Sequence, residues 1–471
     1  MFASISRSIN AGAHIIASLF IVLAAALFVA SSAAASGEVK GFDNASSSYK
    51  SDSLVVGFDP ETSAASGSER LKSAAVGKVT TGGPRSAVVK VKSGTSLKSA
   101  ARKLAKREGV RYVKPNFIAR ASDAFVPNDP GVGGPTGWRA VQWNFVGKYG
   151  VNVLPAWGAL RDLGAEGGRG VTVAVIDTGV AYENRGRFRR SPDLVGVSIS
   201  NPYDFISRRK TANDRNGHGT HVASTIFQTT NNGVGVTGIA YGATLMPIRA
   251  LNSRGLGDEI TVARAIRYAT NRGAKIINLS VEFDVRLNSR DLPAITAAMR
   301  YARVKGVLVI AAAGNQQARR VAYPARSKYA LAVGATTAGG CLAEYSDVGR
   351  GLDIVAPGGG ADSSVLDTRS GSSDRSNCRF GNSALPIRQI TFGRNVKKFG
   401  LPGNYQGTSM ASPHVAGAAA LVIASGKLGP SPKPAFVAER LQSTARDLGF
   451  PGYDTRYGHG LLDIGAAVTN P

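Results

Sequence analysis

Val171-Thr172-Val173-Ala174-Val175-Ile176 is apolar over consecutive rather than alternate positions, and it stops at Asp177-Thr178-Gly179. An alternating strand can leave one face in water, whereas a continuous apolar run has to be covered on both, which is the condition of a parallel strand in an α/β sheet. Ile276-Ile277-Asn278-Leu279-Ser280 and the stretch Gly306 to Gly314 have the same character. An acid at the carboxyl end of such a strand stands at the sheet edge where ligand sites form. Taken singly, Asp177 reads equally well as a turn or a helix cap.

A second feature concerns one hydroxyl. Gly407-Thr408-Ser409-Met410-Ala411-Ser412-Pro413-His414 leads into the uncharged run Ala416 to Ala424, which predicts a buried helix starting near Ser409. A hydroxyl there lies beside free backbone N–H groups at the positive end of a helix dipole, a setting for an oxygen that develops negative charge. Capping of a core helix is the competing reading. A serine nucleophile needs a histidine to take its proton and an acid to orient that histidine. Of the five histidines, His218 opens Gly217-His218-Gly219-Thr220-His221-Val222-Ala223, a glycine turn running into a short apolar helix, and His221 one turn later is expected to pack inside.

The order Asp177, His218, Ser409 and the wording V-A-V-I-D-T-G, N-G-H-G-T-H-V-A and G-T-S-M-A-S-P-H-V-A-G resemble the subtilisin-like serine proteases, the subtilases of peptidase family S8. The resemblance extends over about residues 124 to 471. It implies a three-layer α/β/α sandwich with a mostly parallel sheet. It also implies an endopeptidase in which Asp177 orients, His218 carries protons, Ser409 attacks and Asn315, after Ala311-Ala312-Ala313-Gly314, stabilises the oxyanion. Protein or peptide substrates follow. Ser280, Val281 and Glu282 are implied as one wall of the first specificity pocket, Ala322 as its floor, and Gly255 and Gly257 as an edge that pairs with extended substrate. Ser280-Val281-Glu282-Phe283 departs from the family's glycine-rich S-L-G-G. Glu282 either faces the pocket and favours a basic residue before the scissile bond, or points to solvent or pairs with Arg286 at i,i+4.

The N-terminus is expected to be processed. Arg7, the apolar run Ile15 to Ala30 and Ser31-Ser32-Ala33-Ala34-Ala35 read as a signal peptide over 1–35, short for a membrane span, so export without a stable anchor is expected. Residues 36–123 alternate strand-like and helical patterns and resemble the family's propeptide, which implies a folding aid and inhibitor that the enzyme removes near Ala121 to Ala124. The catalytic unit is then 124–471, with a Gly/Ser/Asp/Arg-rich insertion over about 358–403.

In relatives an N-terminal Asp, a second Asp and a loop within the His-bearing helix bind calcium. Here the corresponding positions are Asp129, Asp193 and the loop Thr229, Asn232, Val234 and Val236, a hard oxygen set that includes backbone carbonyls. No His or Cys spacing points to zinc. Cys341 and Cys378 both fall in the exported part, where a disulfide is expected. The formal charge of +26 is scattered without an aromatic-basic motif, so no nucleic-acid partner is expected. The sequence therefore predicts a secreted, extracellular, monomeric serine endopeptidase. A catalytically silent binding protein on the same fold is the alternative.

Overall fold

A computed structural model describes residues 36–42, 49–117, 125–363, 381 and 384–470. The expected signal peptide, Cys378 and most of the stretch from 364 to 383 lie outside the described residues. Two compact units divide the chain near residue 117.

The N-terminal unit contains β1 (Glu38–Val39), β2 (Tyr49–Phe58), α1 (Ala64–Lys72), β3 (Gly77–Gly83), β4 (Ser86–Val91), α2 (Leu97–Ala105) and β5 (Val110–Phe117). Its sheet runs β1-β5-β2-β4-β3, with β2, β3 and β4 antiparallel and β1 parallel to β5. Ser63 and Ser96 cap the two helices by accepting from the Ser66 and Ser99 N–H groups. Leu54, Val56, Val89, Leu104 and Val113 are fully buried, so this unit has a core of its own.

The C-terminal unit is a parallel sheet between helices. Its elements are α3 (Leu154–Asp162), β6 (Thr172–Asp177), β7 (Tyr203–Asp204), α4 (His218–Phe227), β8 (Thr244–Arg249), α5 (Glu259–Asn271), β9 (Ile276–Leu279), α6 (Pro293–Val304), β10 (Leu308–Ala312), β11 (Ala330–Thr336) and β12 (Ile354–Pro357). They are followed by the short β13 (Thr391–Phe392) and β14 (Phe399–Gly400), then α7 (Thr408–Ala424), α8 (Pro434–Ser443) and α9 (Ile464–Thr469). The seven strands lie in the order β12-β11-β10-β9-β6-β8-β7, each parallel to its neighbours.

Alternation along β6 explains its unbroken apolar run. Val173 and Val175 pack with α3, α4 and α7, while Ala174 and Ile176 pack with α5 and α6 on the other face. This is the expected α/β/α sandwich. The chain runs from β6 to β7 and β8 on one side and then crosses to β9 on the other side of β6, so the direction of winding reverses there. A crevice opens at the carboxyl ends of such strands. Asp177 ends β6 and Ser280 follows β9 at that edge.

Candidate active site

Asp177 is fully buried where β6 stops. Its Oδ1 accepts from the Thr178 N–H at 2.7 Å and is 2.8 Å from His218 Nδ1. Oδ2 is also buried, with no protein hydrogen-bond partner among the described residues. Only glycine fits at position 219, because a Cβ there would stand 2.2 Å from the Gly179 carbonyl oxygen and 3.0 Å from Asp177 Oδ1. Glycine thereby lets the start of α4 lie against the end of β6.

A residue that motif reasoning passed over holds that helix start. Buried Asp214 accepts from the N–H groups of Asn216, Gly217 and Thr220 and from the hydroxyls of Thr178 and Thr220. The signal was present as an acid two residues before Asn216, the spacing at which an Asp side chain bonds its own backbone in a turn. Burial of the imidazole disfavours its cation, but the charge and hydrogen bond of Asp177, helped by Asp214, outweigh this and raise the His218 pKa above 6.5. The other histidines near the site are packed and neutral. His221 lies flat on Tyr405 at 4.1 Å and contacts the Ile387 carbonyl, with burial depressing its pKa to about 3. Burial likewise brings His414, held by Asn144 and the Met410 carbonyl, to about 4.

Ser409 occupies the first turn of α7. Pro413 lacks the N–H that would bond the Ser409 carbonyl in a regular helix, and the Ser280 hydroxyl donates to that carbonyl instead, at 2.9 Å. The Ser409 hydroxyl in turn donates to the Ser280 carbonyl at 3.3 Å. Asn315, just beyond β10, accepts through Oδ1 from the Thr408 N–H (2.8 Å) and hydroxyl (3.1 Å). With its oxygen so engaged, the amide presents Nδ2 as the donor on its other side.

His218, Ser409, Ser280, Val281, Glu282 and Asn315 line one cleft of about 500 Å³, and Gly255 and Gly257 are part of the same lining. Ala322 lies fully buried beneath Gly314. Glu282 does not pair with Arg286, which forks onto Asp284 at 2.9 and 2.6 Å. Its Oε2 reaches across the cleft to the Asn315 N–H at 2.5 Å and to Asn315 Nδ2 at 3.5 Å. Glu282 remains exposed at the mouth of the cleft, and partial desolvation there shifts its pKa upward.

Asp129 and Asp193 are 1% and 0% exposed, and neither has an ion-pair partner among the described residues. Asp129 accepts the N–H groups of Asn231 and Asn232. Asp193 accepts the Asn232 amide and the Val236 N–H, and Val234 donates to Asn232 Oδ1. Desolvation, with the field of Asp129 adding to it, raises the Asp193 pKa to about 7. Two buried acids without a countercharge around one loop are a donor set that suits calcium. No three His, Cys, Asp or Glu side chains converge among the described residues, so any further donors would be the amide and the loop carbonyls. Cys341 is disulfide-bonded; Cys378, the other cysteine of the sequence, lies outside the described residues.

Comparison with known proteins identifies the family. A profile of the subtilase family, Peptidase S8, matches residues 168–460, and one of the fervidolysin N-terminal prodomain matches 39–116. The chain is 36% identical to subtilisin Savinase of Lederbergia lenta over 301 residues, 64% of this chain and 91% of the relative. It covers 65% of an alkaline protease of Alkalihalobacillus alcalophilus at 36% identity. A thermophilic serine proteinase of Bacillus sp. strain AK1 is 32% identical over 76% of this chain and 73% of its own. Among solved structures, a protease of Pseudoalteromonas arctica superposes with a TM-score of 0.54 at 28% identity, covering 73% of this chain and 99% of its own. Fervidolysin of Fervidobacterium pennivorans shares the fold over 93% of this chain and 63% of its own, with a TM-score of 0.53 and 24% identity.

Proposed function

We propose, from the premise that the chain belongs to the subtilase family and is a serine-type endopeptidase, that Asp177, His218 and Ser409 cleave peptide bonds through an acyl-enzyme. The contact of 2.8 Å between His218 Nδ1 and Asp177 Oδ1, in the cleft that Ser409 shares, carries this reading. Asp177 keeps the Nδ1 proton in place, which leaves Nε2 as the base. The Ser409 hydroxyl leaves the Ser280 carbonyl, gives its proton to His218 and attacks the scissile carbonyl. His218 then protonates the departing amine, and water releases the acyl group by the same route. The Asn315 amide and the Ser409 N–H stabilise the oxyanion, each such donor contributing about 10²–10³ in turnover.

The N-terminal unit, taken as a propeptide over 36–123, supports production as an inactive precursor that follows a signal peptide out of the cell, with the mature unit at 124–471 acting as a monomer. Asp129, Asp193 and Asn232, with carbonyls of Thr229, Val234 and Val236, would hold calcium. The ion would supply the positive charge that the two buried carboxylates lack. A fluorophosphonate probe tests the catalytic reading. It should label the matured wild type and not Ser409→Ala, and an unlabelled wild type would refute the triad.

A further inference from the structure

Glu282 is the acid in this cleft that the catalytic scheme does not use. Two of the three strands whose ends build the site send their following segments to opposite walls, Ser280 to Phe283 after β9 and Ala313 to Gln316 after β10. Glu282 bridges the gap between them. Its carboxylate takes the Asn315 N–H at 2.5 Å and comes within 3.5 Å of the amide nitrogen that is to hold the oxyanion. The nearest basic residue in sequence is committed elsewhere, since Arg286 forks onto Asp284. Among the described residues Glu282 has no ion-pair partner.

A carboxylate in this position discriminates among the side chains that could enter. An apolar side chain before the scissile bond would strip water from Glu282 and offer nothing in return. An acidic one would add like charge beside a forming oxyanion. A guanidinium or ammonium does the opposite, because it satisfies the carboxylate and neutralises charge next to the Asn315 amide when the oxyanion appears. Arginine, with a planar fork that matches a carboxylate, fits better than lysine.

We propose that Glu282 determines primary specificity and directs cleavage to the bond after arginine or lysine. This rests on the catalytic reading given above.

Two measurements separate the claims. Peptides differing only in Arg, Lys, Met or Glu before the scissile bond are assayed with matured wild type, Glu282→Gln and Glu282→Gly. Wild type should favour Arg over Met in kcat/KM, and both variants should shrink that ratio by about ten- to a hundredfold, the range for a hydrogen bond to a charged group. Calorimetric titration with benzamidine, an amidinium probe, is run on matured wild type and matured Glu282→Gln, and the change should weaken binding at least tenfold. A wild-type preference for Met, or a ratio that neither variant alters, overturns the proposal while hydrolysis leaves the catalytic reading standing. If benzamidine binds through Glu282 but matured wild type neither turns over nor takes a fluorophosphonate, the catalytic reading falls and the cation subsite is upheld. If benzamidine fails to bind and turnover is absent, both are overturned.

Discussion

At His218 burial pulls the pKa down and Asp177 pulls it up, and Asp177 prevails. The base must be neutral to accept the Ser409 proton, so kcat/KM should be low in acid and rise through an apparent pKa above 6.5, the ordinary histidine value. Asp177→Asn takes away the charge and lets the wrong tautomer form. Turnover should fall about 10⁴-fold, and the residual activity should rise at lower pH than in wild type. A pH profile of both proteins on one peptide checks the sign, and an Asn variant with an unmoved acid limb would assign that limb to another group. Asn315→Ala should cost about 10²–10³ in kcat with little change in KM, because its amide acts on charge present only in the transition state. The three residues proposed as the triad stand out in the sequence because each lies in a local pattern, a strand end or helix start, which a sequence displays. Where Glu282 points was not legible. The i,i+4 expectation toward Arg286 requires a helix, and residues 281–291 form turns and irregular backbone instead. The contact Glu282 does make, to Asn315, joins segments brought together only by the pairing of β9 with β10.

Among the elements, the start of α7 shows how a helix can break a rule and recover. Pro413 sits in its first two turns, where it deprives the Ser409 carbonyl of a donor, and Ser280 from the end of β9 supplies the missing bond at 2.9 Å. The same hydroxyl is 2.9 Å from Ser412 Oγ. Strand and helix are therefore tied together at the residue that also accepts the Ser409 hydroxyl. Ser280→Ala leaves that carbonyl unsatisfied, which should lower stability by about 1–3 kcal/mol. Thermal unfolding of Ser280→Ala in a Ser409→Ala background, where autolysis is absent, measures this directly; an unshifted midpoint would mean that water replaces the hydroxyl. The strands and α7 were readable from their apolar runs. Asp214 was passed over because a cap before the histidine reads as an ordinary loop acid until its five donors converge on it.

In the molecule as a whole, the pair Asp129 and Asp193 is a structural expense without an evident return among the described residues. The two residues come from the segment ahead of α3 and from the segment after β6, and they meet the loop that follows α4, so they tie together parts of the chain 39 to 102 residues apart in sequence. Backbone N–H groups partly compensate the carboxylates, yet Asp193 is still raised to about 7 by burial. An interior that keeps two acids together without a cation loses stability, and one that binds a divalent ion there gains it by mass action. Free calcium at a hundredfold over its Kd should stabilise the matured enzyme by about 2.7 kcal/mol, and chelation should remove that increment. The comparison is best made on Ser409→Ala with and without Asp193→Asn. Chelator should lower the unfolding midpoint of the first by several degrees and leave the second nearly unmoved. Equal sensitivity of the two would place the ion elsewhere, and insensitivity of both would show that the N–H groups of Asn231, Asn232 and Val236 are compensation enough for these two acids.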